Sequence, residues 1–131
     1  MPMILTKEKT QQGHSFLRIH SSGDVTAADA DVLTRAMAPG APYTDLAVLG
    51  VVEPGTKYSP EARQALTKMQ GGSGENPKPV AIVVTSAPLR VMLSFIIRIS
   101  GAAAHTRFFS DEVPAIAFLN EQQGAAQVLE A

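Results

Sequence analysis

The sequence predicts a single α/β domain with a mixed sheet of about five strands flanked by about four helices, in the order β-β-α-β-α-β-α-β-α. Three observations support this fold class. Short apolar or alternating runs recur between segments of helical spacing, and turn residues separate them. The 131 residues are enough for one hydrophobic core and too few for two. An apolar fraction of 45% and a charged fraction of 18% are typical of a folded globular chain.

The chain begins with a predicted strand pair. Residues 14–21 alternate their side chains between two faces, which is the pattern of a half-buried strand, and residues 3–6 can pair with them as a short edge strand. The glycine at position 23 then ends the pair. One face carries Ser15, Leu17, Ile19 and Ser21, and the other carries His14, Phe16, Arg18 and His20.

A helix and a central strand follow. Thr26, with Asp29 three residues later, resembles a capping box, in which two side chains satisfy free backbone amides at a helix start. Pro39 and Pro42 end this helix, because proline lacks an amide hydrogen and disfavours helical geometry in the residue before it. Residues 46–52 form a nearly unbroken apolar run, which predicts a strand covered on both faces.

The second helix has the clearest start signal in the sequence. Ser59 is placed as its N-cap and Pro60 as its first helical residue. The glycine-rich residues 71–77 predict a flexible connection, and residues 80–84 predict a second buried strand. The apolar positions of the helix, at helical spacing, are Ala62, Ala65, Leu66 and Met69.

The last part of the chain is expected to add a helix, a strand and a final helix. An apolar helix covers residues 88–100, a strand covers residues 106–109, and the final helix begins near Ser110. Its alanine-rich end is expected to fray. We therefore predict one domain over residues 1–123 and a flexible C-terminal tail over residues 124–131.

Composition excludes several classes of function. A net charge of −1, from 11 basic and 12 acidic residues, provides no positive field for nucleic acid. The absence of cysteine excludes disulfides and cysteine-based metal sites. Residues 1–9 lack the apolar core of a signal peptide, and residues 88–100 are too few to cross a bilayer and contain arginine. We therefore expect a cytoplasmic protein without an integral membrane segment.

No arrangement of reactive side chains predicts catalysis. The sequence lacks the glycine-rich phosphate loops and the serine elbow of common enzyme families. His14, His20 and His105 are far apart in the chain and show no metal-ligand spacing. Carboxylate pairs stand at helix starts, where capping explains them. The sequence therefore predicts a non-enzymatic protein with no catalytic residues and no metal.

Two local stretches resemble a known family. Residues 23–29, Gly-Asp-Val-Thr-Ala-Ala-Asp, are similar to the turn from the second strand into the first helix of the SpoIIAA-like group, which is related to the STAS domains of anti-sigma-factor antagonists. Residues 106–112, Thr-Arg-Phe-Phe-Ser-Asp-Glu, and the apolar positions after them are similar to that group's last strand and helix. The resemblance implies a compact α/β fold that has no cofactor. It also implies that the domain docks onto a partner. Some relatives of this fold bind apolar ligands.

The sequence departs from the family pattern where better-known STAS domains are phosphorylated. That pattern has Asp, a hydrophobic residue, Ser, Gly and Leu in succession, whereas residues 52–59 read Val-Glu-Pro-Gly-Thr-Lys-Tyr-Ser. Thr56 and Ser59 carry the aliphatic hydroxyls nearest the matching position, so they are the candidate phosphoacceptors. Ser59 also has a purely structural interpretation as a helix N-cap.

The apolar helix over residues 88–100 is the most unusual segment. Arg90, Ser94 and Arg98 form one narrow polar stripe, and apolar residues cover the rest of the helix, which is more than one sheet face can cover. Either neighbouring helices bury the excess, or it is a surface for another subunit, a partner or an apolar ligand. The candidate binding residues are Arg90, Val91, Met92, Phe95 and Arg98.

These patterns favour a non-enzymatic, regulatory protein-interaction module. Self-association into a homodimer through the apolar helix is one form of this hypothesis. The alternative is a carrier of a small apolar or lipid-like ligand held between that helix and the sheet. The sequence does not identify the protein partner.

Overall fold

The chain folds into strands and helices in the predicted alternation. The computed structural model describes residues 3–37, 40–41, 46–68, 78–100 and 103–130. The strands are β1 (Met3–Lys9), β2 (Ser15–Ser21), β3 (Asp24–Val25), β4 (Ala47–Val52), β5 (Lys57–Tyr58), β6 (Val80–Val84) and β7 (Thr106–Phe109). The helices are α1 (Ala27–Ala36), α2 (Pro60–Lys68), α3 (Ala87–Ser100) and α4 (Glu112–Glu130), and a short 3-10 helix covers Ala103–His105.

Five strands form one mixed sheet in the order β1-β2-β4-β6-β7. β1 is antiparallel to β2, and every other neighbouring pair is parallel. β4 lies in the middle of the sheet, as its unbroken apolar run predicts. β1 extends to Lys9, beyond the predicted end at Thr6. The predicted fold class, a mixed sheet of five strands with four helices, is confirmed.

Different helices cover the two faces of the sheet. Leu17 and Val48 belong to a buried cluster that includes residues of α1 and α2, whereas Phe16 and Leu49 belong to a cluster that includes residues of α4. α3 packs on the first of these faces, through a third cluster with β4 and β6. β2 is therefore buried on both faces, where its alternation predicts a half-buried strand, because α4 also packs over Phe16.

Side chains hold the starts of α1 and α2 as predicted. The backbone N–H of Thr26 donates to Asp29 Oδ2 at 2.8 Å, at the start of α1. Ser59 Oγ accepts a hydrogen bond of 3.0 Å from the backbone N–H of Ala62, which confirms Ser59 as the N-cap of α2. α3 begins at Ala87, one residue before the predicted start.

A second, two-stranded sheet joins the segments that precede α1 and α2. β3 and β5 pair in parallel. The N–H of Lys57 donates to Gly23 O at 2.8 Å, and the N–H of Ser59 donates to Val25 O at 3.0 Å. The sequence does not predict this sheet, because strands of two residues show no periodicity. The starts of α1 and α2 are thereby held side by side.

The last helix is longer than the sequence predicts. α4 continues to Glu130, across residues 124–130 for which a flexible tail is expected. The flexibility of that segment and the domain boundary at residue 123 stay predictions. Several sequence-predicted features lie outside the described residues: Pro39, Pro42, Met69 and the connection over residues 71–77.

Candidate functional site

α3 places three large apolar side chains on the protein surface. Val91, Phe95 and Ile99 are 70%, 61% and 54% exposed. They follow one another at intervals of four residues, so they lie on the same face of the helix at successive turns. We call these three residues the α3 stripe. Single exposed apolar side chains are common, but a contiguous set of this kind marks a candidate contact surface.

Two exposed arginines accompany the α3 stripe. Arg90 and Arg98 are both exposed, and α3 contains no acidic residue. The Arg90 guanidinium carbon lies 5.6 Å from the centre of the Phe108 ring on β7, which is within the range of a cation–π interaction. The outer side of α3 therefore combines apolar area with positive charge.

The opposite side of α3 faces the protein interior. Leu93 and Ile96 are buried. Met92 is half-buried and packs on the cluster that joins α3 to β4 and β6. The structure thus separates Met92 from the other predicted binding residues. Those on the outer side are Arg90, Val91, Phe95 and Arg98.

A cavity of about 170 Å³ lies between the sheet and helices α1, α2 and α3. Leu33 of α1, Leu66 of α2 and Leu93 of α3 form part of its lining. On the sheet side, Val48 and Val52 of the central strand line it as well. The cavity is therefore an apolar space under the three helices that cover this face.

Gly50 lines the cavity from the middle of β4. Side chains in a strand alternate between faces, so a side chain at this position would point to the same face as those of Val48 and Val52. A β-carbon built on Gly50 would have Ile82 Cγ1, at 3.9 Å, as its nearest neighbour, which is an ordinary contact distance. Gly50 does not have a positive φ, so its backbone conformation does not require glycine. The absence of a side chain at Gly50 therefore leaves open space, and no turn at this position requires glycine.

Two hydroxyl groups give the cavity a polar side. Among its described lining residues, Ser21 and Tyr58 carry the polar side chains. The two side chains lie close enough to interact. Burial raises the pKa of Tyr58 above its ordinary value, and the interaction with Ser21 offsets part of that increase. The Tyr58 phenol is therefore neutral at physiological pH.

The two candidate phosphoacceptors differ in environment. Thr56 is buried, and its hydroxyl donates to Glu53 O at 2.6 Å and lies 3.2 Å from Ser21 O. Ser59 is half-buried and caps α2. The Thr56 hydroxyl thus holds the loop between β4 and β5. Modification of either residue stays a prediction.

The described residues contain no cluster of three or more side chains that could bind a metal ion. His20 Nε2 lies 2.9 Å from Glu53 Oε1. His105 Nε2 is buried and has no hydrogen-bond partner in the described parts of the chain. As for membranes, none of the described helices combines the length and the hydrophobicity that a bilayer crossing requires.

A family model described as a domain of unknown function, DUF7793, matches residues 12–123. The chain belongs to the DUF7793 family. The match includes all four helix starts and the α3 stripe. It also includes the described residues that line the cavity, apart from Met3. A search of curated proteins found no match.

The DUF7793 domain is similar to a solved structure of an uncharacterized protein from the DUF3478 family of Shewanella loihica PV-4, which has a SpoIIAA-like fold. The two chains are 18% identical, with a TM-score of 0.63, and the alignment covers 89% of this chain and 93% of that chain. At this identity the likeness shows the fold alone. The DUF7793 domain therefore has a SpoIIAA-like fold, which confirms the resemblance predicted from its sequence.

The cavity residues of this DUF7793 domain are not among the sequence-predicted site residues. Ser21 and Tyr58 belong to different strands, and their contact follows from the pairing of β3 with β5 beside the main sheet. Gly50 is the one signal that the sequence does contain, because a glycine inside an apolar strand often marks a close approach by another group.

Proposed function

We propose that this protein is a non-enzymatic interaction module that docks on a protein partner through the α3 stripe. The exposure of Val91, Phe95 and Ile99 on one helix face carries the proposal. Removal of apolar surface from water contributes about 25 cal/mol per Å², so a partner that covered the stripe would gain binding free energy there. A regulatory role in the cytoplasm forms part of the proposal, and the resemblance to STAS domains supports it.

The charge of α3 favours a partner with carboxylates around an apolar centre. Arg90 and Arg98 accompany the stripe, and α3 has no acidic residue. Arginine beside apolar side chains is a common composition of interfaces. In a homodimer with two packed stripes, both copies of α3 would contribute only positive charge to the interface. Like charges at an interface repel each other. The favoured partner is therefore a different protein with an acidic rim. Self-association can be tested without first identifying that protein.

The test compares two variants that introduce the same charge at different surfaces. Phe95→Asp places a carboxylate in the stripe, and Val113→Asp places one at an 80% exposed valine on α4. We expect that wild type and Val113→Asp capture the same partner, or self-associate alike in sedimentation velocity at increasing concentration. Phe95→Asp should lose that behaviour while it keeps its circular dichroism spectrum. Identical partners and masses for all three proteins would contradict the proposal.

Carriage of a small apolar ligand is a second candidate function, and the cavity under α1, α2 and α3 favours it. The two candidates use opposite sides of α3, since Phe95 is on the outer face and Leu93 lines the cavity. Native mass spectrometry of protein purified under mild conditions tests ligand carriage. A bound mass in wild type and in Phe95→Asp alike would support it, whereas ligand-free protein in both would count against it.

A further inference from the structure

We infer that the cavity between the sheet and α1, α2 and α3 binds a neutral, single-ring apolar molecule that carries one hydroxyl group. The assignment rests on the second candidate function, ligand carriage, and is independent of docking through the α3 stripe. Four features of the cavity support it: its volume, its apolar lining, the missing side chain at Gly50, and the hydroxyl pair of Ser21 and Tyr58.

The volume sets the size of the ligand. The cavity measures about 170 Å³. An engineered protein cavity of about 150 Å³ with a Leu, Ile and Phe lining stays dry and takes up benzene. A ring with one or two small substituents therefore matches the space here, whereas a long acyl chain exceeds it.

The lining sets the polarity of the ligand. Leu33, Leu66 and Ile82 are typical of its side chains, and no charged side chain is among the described residues that line it. An ionised group would lose its hydration in such a space without gaining a counter-ion. The ligand class is therefore neutral, which excludes a carboxylate or an amine in its charged form.

Gly50 makes room for the ligand at the centre of the sheet. Glycine weakens the interior of a strand, and an unfilled space deprives its walls of packing contacts. The nearest atom to an added β-carbon would be Ile82 Cγ1 at 3.9 Å, so an alanine would fit. A ring seated over Gly50 would supply the contacts that a side chain there would otherwise make with its neighbours.

The hydroxyl pair provides the polar contact. Ser21 is only 3% exposed, and its side chain lines the cavity together with that of Tyr58. Each hydroxyl has one hydrogen to donate and two acceptor positions. A single hydroxyl on the ligand can therefore join this pair, and further polar groups would meet only apolar walls.

Binding of three probes to the full chain tests the assignment: p-cresol, toluene and dodecanoic acid. We expect saturable binding of p-cresol, seen in methyl NMR spectra as shifts of Val48, Val52 and Ile82. Toluene should bind more weakly, and dodecanoic acid should not bind. Tyr58→Phe should weaken p-cresol binding by about tenfold and leave toluene binding unchanged, because only p-cresol can hydrogen-bond the phenol.

Variants at Gly50 locate the site. Gly50→Val fills the space above the central strand, so it should abolish p-cresol binding and retain the methyl dispersion of a folded protein. If Gly50→Val does not fold, Gly50→Ala takes its place in the test. This variant should weaken p-cresol binding. Val113→Asp is the matched control, because this valine is 80% exposed on α4, which packs on the other face of the sheet, and it should bind p-cresol like wild type.

The outcomes separate this assignment from ligand carriage itself. Equal p-cresol affinity in wild type and in folded Gly50 variants would place binding elsewhere and overturn the assignment. Binding of dodecanoic acid without p-cresol would overturn the ring-sized class and leave ligand carriage standing. No binding of any probe, together with ligand-free protein in native mass spectrometry, would overturn both.

Discussion

Arg18 on β2 and Glu112 at the start of α4 form an ion pair in which Nη2 and Oε1 are 2.6 Å apart. The Arg18 Nε lies 3.2 Å from the same oxygen, and Glu8 Oε2 on β1 lies 3.7 Å from Nε. Glu112 is in the first turn of α4, where the helix dipole favours a carboxylate. One arginine thus links two strands to the start of the helix that covers this sheet face.

Glu112→Gln is expected to lower the free energy of unfolding by about 1 kcal/mol, because it removes a charge-assisted pair that is only partly exposed. The matched control is Asp31→Asn, which removes the highly exposed pair of Asp31 and Arg35 on α1. The Asp31→Asn variant should lower the free energy of unfolding by about 0.3 kcal/mol. Urea unfolding of the three proteins measures the difference, and equal losses would contradict the role given to Glu112.

Thr10→Val is expected to destabilise the protein by about 1–3 kcal/mol, because it removes the partner of two polar groups. The Thr10 hydroxyl donates to Asn120 Oδ1 at 2.7 Å and accepts from the backbone N–H of His14 at 3.1 Å. The control is Thr67→Val, whose hydroxyl bonds to a carbonyl on the exposed side of α2. It should change stability by about 0.5 kcal/mol or less. A similar loss in both variants by urea unfolding would show that the Thr10 contacts contribute little.

Ser59→Ala is expected to lower the free energy of unfolding by about 1 kcal/mol, because the side chain caps α2. Ser59→Asp should retain nearly all of the stability, since aspartate is an equally good N-cap and its charge suits the helix start. Thermal unfolding of the two variants beside wild type measures both effects. A loss in Ser59→Asp as large as in Ser59→Ala would contradict the capping role.

The stability of the protein is expected to fall at alkaline pH through Tyr58. Burial raises the pKa of this phenol, so the folded state holds the proton more tightly than the unfolded state. Its contribution is complete below the unfolded pKa of about 10 and is lost as the pH rises through the folded value. Between these two pKa values, the free energy of unfolding should fall by up to about 1.4 kcal/mol per pH unit more steeply in wild type than in Tyr58→Phe. Urea unfolding along a pH series measures the slopes, and equal slopes would contradict the prediction.

The parts of the fold that local patterns determine could be predicted from the sequence. The apolar run from Ala47 to Val52 is the central strand, and Ser59 with Pro60 marks the start of α2. The start of α3 differs from its prediction by one residue. Apolar periodicity and capping act within one turn or one strand, so such signals can be read without knowledge of the tertiary structure.

Features that depend on distant parts of the chain could not be predicted. The alternation around Phe16 predicts one buried face, and only the packing of α4 explains the burial of the other. Likewise, the sequence spacing of α3 makes Val91 and Phe95 candidates for exposure, but it cannot show that Met92 turns inward. The contact of Ser21 with Tyr58 joins residues 37 positions apart, from strands of different sheets. No local pattern encodes such a contact.

The pairing of β3 with β5 couples the two helices that follow these strands. Two backbone hydrogen bonds join the segments that lead into α1 and α2, so these helices are connected at their starts. α3 enters instead from the end of β6. Loss of the β3–β5 pair would therefore loosen two of the helices over the cavity at once, whereas α3 would keep its own packing on β4 and β6.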